Sequence, residues 1–322
     1  MSTVYIHFPM PPGDPSERDA QRAAAPARAP LLERLLARAD PSRVDDWRLE
    51  AFRALAEGPE APPAVGAAVL AAALGAEQSA AAGACAFVAT PLHCVATMTS
   101  VRLPSGGLLR LEPSEADELA ADFNRVFDGG GQRLIAADGS LTCVFEREVA
   151  ATAKDPQQVV GRDIHEFLPS GADGAMLRRF MSEIEMWLFE HRLNRRRIAT
   201  GALPITSLWL WGGGPTVSRL PTLRGAIAGA DPLFAAWPAL SVRPSSDSKP
   251  ICGSTVIIVA QPPGTEVWQD AQAAWIVPAL ARLRAGSIES LDLSAGERRY
   301  RVSAGWRWRL WRRTRPWWEY FE

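Results

Sequence analysis

Residues 161–215, GRDIHEFLPSGADGAMLRRFMSEIEMWLFEHRLNRRRIATGALPITSLWLWGGGP, constrain the fold more than any other part of the chain. The pattern predicts a loop with a Leu-Pro turn, a long amphipathic helix, an Arg-rich elbow and an apolar strand stopping on Gly212, Gly213 and Gly214. A helix feeding a buried strand is half of a layered unit, so the chain reads as α/β with a layered sheet core. A strand that stops on glycines leaves its carboxyl end bare, where open sheets place ligands.

The flanking sequence fills in three parts. Residues 1–84 predict an N-terminal strand at 4–8 and Ala-rich helices at 31–39, 41–57 and 63–74, all belonging to the core. Residues 85–160 predict a small α+β module inserted in that core. It has two extended segments split by Pro91, then a helix over 113–127 started by Ser114 with Asp117. A hairpin around Asp138-Gly139 completes it. Residues 161–322 return to the core, with a buried strand at 254–260, a helix at 267–285 bent at Pro278, and final strands at 291–293 and 299–311.

Composition narrows the function classes. With 47% apolar and 22% charged residues and a net charge of −1, the chain can bury a full core and carries no overall field toward nucleic acid or a membrane. Cys85, Cys94, Cys143 and Cys252 form no paired spacing, so they read as reduced thiols of a cytoplasmic protein. The N-terminus has no basic segment followed by an apolar core, and the longest apolar run, 65–74, is too short to span a bilayer. A cytoplasmic protein with no membrane partner is the expectation.

Four segments carry a family resemblance: SEADELAADFNRVF, GRDIHEFLPSGADGAMLRRFM, HRLNRRRIATGALP and SLWLWGGG. With His191, Asn194, Arg197, Gly201, Pro204, Ser207, Trp211, Gly212 and Gly214, the region from about Ala89 to Pro215 resembles archaeal-type cofactor-independent phosphoglycerate mutases. The helices-first plan and the WRWRLWRR tail resemble the bacterial RpfE-type regulatory proteins, described as phosphoglycerate-mutase-like. The resemblance implies an alkaline-phosphatase-like fold. In that superfamily two divalent metals held by Asp and His serve a Ser nucleophile during phosphoryl transfer. Such a first strand ends in an Asp-rich ligand loop, whereas this one ends His7-Phe8-Pro9-Met10. The late strand leads to Glu266 and Asp270 but no His, because all four histidines lie at or before position 191. The resemblance therefore implies a degenerate relative: a non-catalytic, binding or regulatory protein of the bacterial cytoplasm, with no catalytic residues, no metal and no cofactor expected.

The candidate sites each keep two readings. Gly212, Gly213 and Gly214, with Arg219 or Arg224, offer backbone N–H groups to a small anion, or they simply let the chain turn. His191, Arg192, Asn194, Arg195, Arg196 and Arg197 complement a helix C-terminus or receive an anionic partner. Asp163, His165 and Glu166 contain metal-ligand types. Asp14, Asp163, His165 and Asp270 define the enzyme alternative, a metal-dependent phosphomutase or phosphatase acting on a small phosphorylated substrate. His93 and Cys94, adjacent on a strand, face opposite sides and make no nucleophilic pair. Trp306, Arg307, Trp308, Arg309 and Trp311 suit a protein partner. The neutral net charge disfavours the further alternative, a nucleic-acid accessory role for the tail.

Overall fold

The computed structural model describes residues 2–9, 29–79, 82–242, 253–259, 269–309 and 311–320. In chain order the strands are β1 (Thr3–Phe8), β2 (Asp40–Arg43), β3 (Cys85–Leu92), β4 (Val95–Ala96), β5 (Val101–Arg102), β6 (Gln132–Ala137) and β7 (Ser140–Phe145), followed by β8 (Ser207–Pro215), β9 (Ala226–Ala228), β10 (Ser241–Val242), β11 (Thr255–Ile258), β12 (Ser290–Ala295) and β13 (Arg298–Ser303). The helices are α1 (Pro30–Arg38), α2 (Trp47–Leu55), α3 (Val65–Leu74), α4 (Ala76–Ser79), α5 (Pro113–Val126), α6 (Gly174–Phe189), α7 (Arg192–Ala199) and α8 (Val277–Arg284). The class is mixed α/β. No helix among the described residues is long and apolar enough to cross a membrane.

The chain divides into two compact units, one built from residues 1–11, 15–62 and 221–322, the other essentially from 63–220. This differs from the expected boundaries at 84/85 and 160/161. Residues 161–215 join the inserted unit rather than the core, because β8 pairs with β3.

The first unit holds a sheet in the order β10-β9-β11-β1-β12-β13-β2, parallel from β10 to β12 and antiparallel at β13 and β2. Val4, Ile6 and Phe8 alternate onto one face and pack with Leu291 and Leu293 against Leu32, Leu35 and Leu36 of α1 and Leu280 and Leu283 of α8. Helix α2 lies on β1 and β11. The helix expected over 41–57 is shorter, because Asp40–Arg43 pairs with β13 as a strand and Asp46 caps α2 by accepting the Arg48 N–H at 2.9 Å. The bend expected at Pro278 takes the form of a widened π turn over Gln272–Ile276, one residue ahead of the proline, which lacks an N–H.

The tail departs from expectation. Strand β13 stops at Ser303, and Ala304–Trp308 is a 3₁₀ turn that delivers Trp306 into the core beside α1. Arg309 binds Asp40, and Arg312 donates to the Ala39 carbonyl. Trp308 and Trp311 stay 77% and 75% exposed, so the tail presents no alternating strand face.

The second unit is an antiparallel sheet in the order β6-β7-β3-β8, with the short β4–β5 pair apart. The Asp138-Gly139 hairpin forms as read, both residues having positive φ, 48° and 79°, as a type I′ turn demands. Strand β3 runs through Pro91 instead of breaking there. β7 pairs with it only from Cys85 to Val88; farther along, residues 107–109 bridge that edge, and the Leu109 N–H donates to the Pro91 carbonyl at 3.0 Å, a bond that needs no proline N–H. The capping box of α5 uses Glu112 and Glu115, not Ser114 and Asp117, with Pro113 filling the first helical turn. Phe87, Phe123, Phe145 and Phe180 pack edge to face in the core beneath α5 and α6. The described cysteines Cys85, Cys94 and Cys143 are free thiols; Cys252 lies outside the described residues.

Candidate functional site

The parallel strands of the first unit end in a buried polar layer. Strands β1 and β12 are apolar on one face, and the intervening residues Tyr5, His7, Asp292 and Ser294 fall on the other. Register pairs Tyr5 with Asp292 and His7 with Ser294. His7 is 6% exposed; its Nδ1 lies 3.0 Å from the Ser294 hydroxyl, and the Trp47 indole stacks on the imidazole at 3.8 Å, the ring planes nearly parallel. The Tyr5 hydroxyl is buried beside Ser294 without a properly aligned hydrogen bond, and burial drives its ionisation far above the ordinary range.

Every carboxylate in this layer meets an arginine. Arg48 sits 4.9 Å over Trp47 and reaches Asp231 at 2.7 Å, their side chains 8% and 4% exposed. Arg301 binds buried Asp292 at 2.8 Å through two nitrogens, and Arg299 spans Glu50 and Ser42. Burial, reinforced by the nearby Arg48 cation, lowers the His7 pKa to about 3, so the imidazole is neutral at pH 7. It acts as one hydrogen-bonding group clamped between a hydroxyl and an indole.

That shift has a measurable consequence. The unfolded chain protonates His7 near pH 6.5 while the folded chain holds off until about 3, so its contribution is complete above pH 6.5 and drains away as pH falls. Between pH 7 and pH 5 the loss is about 2 kcal/mol by linkage. Urea denaturation of wild type against His7→Gln at both values measures it. The wild type loses the larger increment, and parallel pH dependences in the two proteins would contradict the assignment.

The mutase-like resemblance implies two divalent cations, and these side chains do not fit them. A neutral imidazole engaged by Ser294 and covered by Trp47 is poorly placed to coordinate, Asp231 and Asp292 are neutralised by arginines, and the Tyr5 phenol stays protonated. Among the described residues, no three of His, Cys, Asp and Glu are grouped to hold a metal.

The glycine strand has a packing role. Gly212, Gly213 and Gly214 lie within β8, and Gly214 pairs with Ala86, so the strand end is not bare. A Cβ on Gly213 would stand 2.0 Å from the Phe87 ring, and one on Gly214 2.5 Å from the Ala64 Cβ. Gly212 adopts φ +62° with Val65 against it, so the triplet admits the start of α3. Arg224 pairs instead with Glu57.

The expected elbow is helix α7. His191 caps it, Nδ1 accepting the Leu193 N–H at 3.2 Å, with Nε2 3.3 Å from Asp122; burial outweighs Asp122 and Glu118 and lowers its pKa. Arg192 and Arg196 reach Glu118, and Arg197 takes Glu115 at 2.8 Å. Asn194 donates to the carbonyls of Leu188 and Ile205 and accepts the Ile205 N–H, each at 2.8 Å. Helix α5 has already matched these cations with acids, so the cluster is a fastening.

Asp163 caps a 3₁₀ turn, accepting from the His165 backbone and lying 3.0 Å from its Nδ1. Asp270 is an exposed residue of the other unit, and Asp14 and Glu266 lie outside the described residues. The polar layer itself had a signal in the sequence: in VYIHF and LDLS, polar groups alternate with buried aliphatics.

No family model matches the chain. It is 33% identical over 122 residues to the 2,3-bisphosphoglycerate-independent phosphoglycerate mutase of Methanothrix thermoacetophila, covering 36% of this chain and 31% of that one. A second such mutase, from Methanothermobacter thermautotrophicus, is 30% identical over 114 residues, 34% of this chain and 28% of its own. The chain thus spans under a third of the length of these curated relatives. Among solved structures, the cofactor-independent phosphoglycerate mutase from Thermoplasma acidophilum aligns over 95% of this chain and 90% of its own, at 15% identity and a TM-score of 0.33. Over about a third of its length, the sequence is phosphoglycerate-mutase-like.

Proposed function

We propose that the protein is a non-catalytic phosphoglycerate-mutase-like protein with a binding or regulatory role in the bacterial cytoplasm, built on an alkaline-phosphatase-like fold and akin to the RpfE-type regulatory proteins. One observation carries this reading. The end of the first parallel strand, where phosphoryl transfer would need metal-binding carboxylates, carries a neutral His7 closed in by Trp47 and Ser294. The surrounding acids are spent on arginines, so the layer contributes stability rather than a reactive oxygen.

The enzyme alternative, drawing on Asp14, Asp163, His165 and Asp270, gains no support from the described residues, since Asp163 and His165 are engaged with each other. Incubating purified protein with 3-phosphoglycerate and Mn²⁺, followed by ³¹P NMR, is expected to yield no 2-phosphoglycerate above a protein-free control. Turnover that a chelator abolishes would overturn the proposal.

A further inference from the structure

An open groove of about 640 Å³ in the first unit is lined by Glu33, Arg34, Arg38, Arg312, Arg313 and Thr314. Four arginines line it against one glutamate, in a chain whose net charge is −1, and Asp40 pairs with one of them, Arg312, at 3.7 Å, which leaves two positive charges in excess. Glu33 is 2% exposed and accepts the Ala29 N–H at 3.4 Å, so its charge is turned into the protein.

Two of the arginines build the groove and two remain available to a ligand. Arg312 donates to the Ala39 carbonyl; Arg38 donates to the Arg307 carbonyl at 3.3 Å and lies 6.0 Å from the Trp306 ring centre. The Arg38 Nε is buried with no hydrogen-bond partner among the described residues, which leaves part of this guanidinium's capacity unused there. Among the described residues, Arg34 makes one hydrogen bond, through Nε to the Pro30 carbonyl at 3.2 Å, and Arg313 is exposed with no ion pair. The tail, where a strand face is expected, closes one side of this groove instead.

We infer that the groove binds a small anion carrying two or more phosphate groups. Convergent guanidiniums repel one another unless an anion lies between them, and their planar forks match phosphate oxygens in pairs. The volume lies within the range of small-ligand sites, about 300–1,000 Å³. A nucleic-acid strand fits less well, since such partners select an extended basic surface and the chain is neutral overall. This inference goes beyond the proposed function and does not depend on it: the phosphoglycerate assay and the binding assay below fail independently.

Calorimetric titration of the full chain with inorganic pyrophosphate at low ionic strength tests the inference. Arg34→Gln with Arg313→Gln should weaken binding by about 100-fold, roughly tenfold for each charged hydrogen-bonding group removed, whereas Arg195→Gln, an exposed arginine of the other unit, should leave it unchanged. Both groove side chains are exposed, so melting temperatures should not move; Arg313→Glu alone gives the same reading if the double variant misfolds. No heat on titration, or affinity indifferent to these variants, would overturn the inference. Salt-sensitive binding of an oligothymidylate with no response to pyrophosphate would overturn it in favour of a nucleic-acid surface.

Discussion

Arg48→Ala is expected to lower the unfolding free energy by about 3–5 kcal/mol, the usual cost of stranding one member of a buried ion pair. The partner carboxylate, Asp231, has a side chain only 4% exposed and receives the guanidinium through Nε and Nη2. Asp231 Oδ1 also accepts the Leu233 N–H at 2.9 Å, at the first residue of the following 3₁₀ turn, so losing the arginine disturbs that turn as well. Arg48→Lys should recover little, because an ammonium cannot reproduce the two-nitrogen grip or lie flat on Trp47. A double replacement by apolar residues, Arg48→Met with Asp231→Leu, should regain most of the loss. Urea denaturation followed by tryptophan emission measures all three. A loss below about 1 kcal/mol for Arg48→Ala would mean that the pair is hydrated and the polar layer open.

The second large effect belongs to Gly66→Ala. An added Cβ would stand 2.2 Å from the Ala86 carbonyl oxygen and 2.7 Å from the Phe87 Cα, both backbone atoms of β3. No rotamer can relieve that contact, so α3 must lift from the sheet, at the upper end of the overpacking range of about 1–3 kcal/mol. At about 3 kcal/mol, the second unit should melt roughly 6–12 °C lower. Gly58→Ala is the control, since its Cβ would meet nothing within 4 Å and its φ is not positive. Equal melting temperatures for the two variants would show that α3 does not pack on β3 this closely.

Several elements were legible because their signals are local. The Asp138-Gly139 pair readily takes positive φ at both positions, which a type I′ hairpin turn requires. Val4, Ile6 and Phe8 alternate, which marks β1 and names its buried face. The apolar run of β8 was legible as a buried strand, but not its partner, since such a run suits a parallel or an antiparallel neighbour alike. The same ambiguity hid the work of Gly212, Gly213 and Gly214: glycine permits both a bare loop and a close helix, and only the positions of Val65, Phe87 and Ala64 choose between them.

Charge pairing lies still further from the sequence. Arg48 and Asp231 are 183 positions apart, and Arg309 and Asp40 are 269, so no spacing rule could have joined them. Read singly, Arg192, Arg196 and Arg197 looked free for an anion until α5 brought Glu115 and Glu118 against them. Arg34 and Arg313 gave no signal at all, since a groove exists only where two distant segments leave space between them.

By itself, then, the chain from Gly161 to Pro215 determined a helix, a basic elbow and an apolar strand, because periodicity and turn chemistry are properties of neighbouring residues. The sequence also determined that no histidine follows position 191, which removes one kind of late metal ligand whatever the fold. Only the tertiary structure decided that this stretch belongs to the inserted antiparallel sheet, that its glycines seat α3, and that His7 is buried and neutral under Trp47. Strand pairing, desolvation and ion pairing each depend on what lies within a few ångströms, and chain folding sets those distances independently of sequence separation.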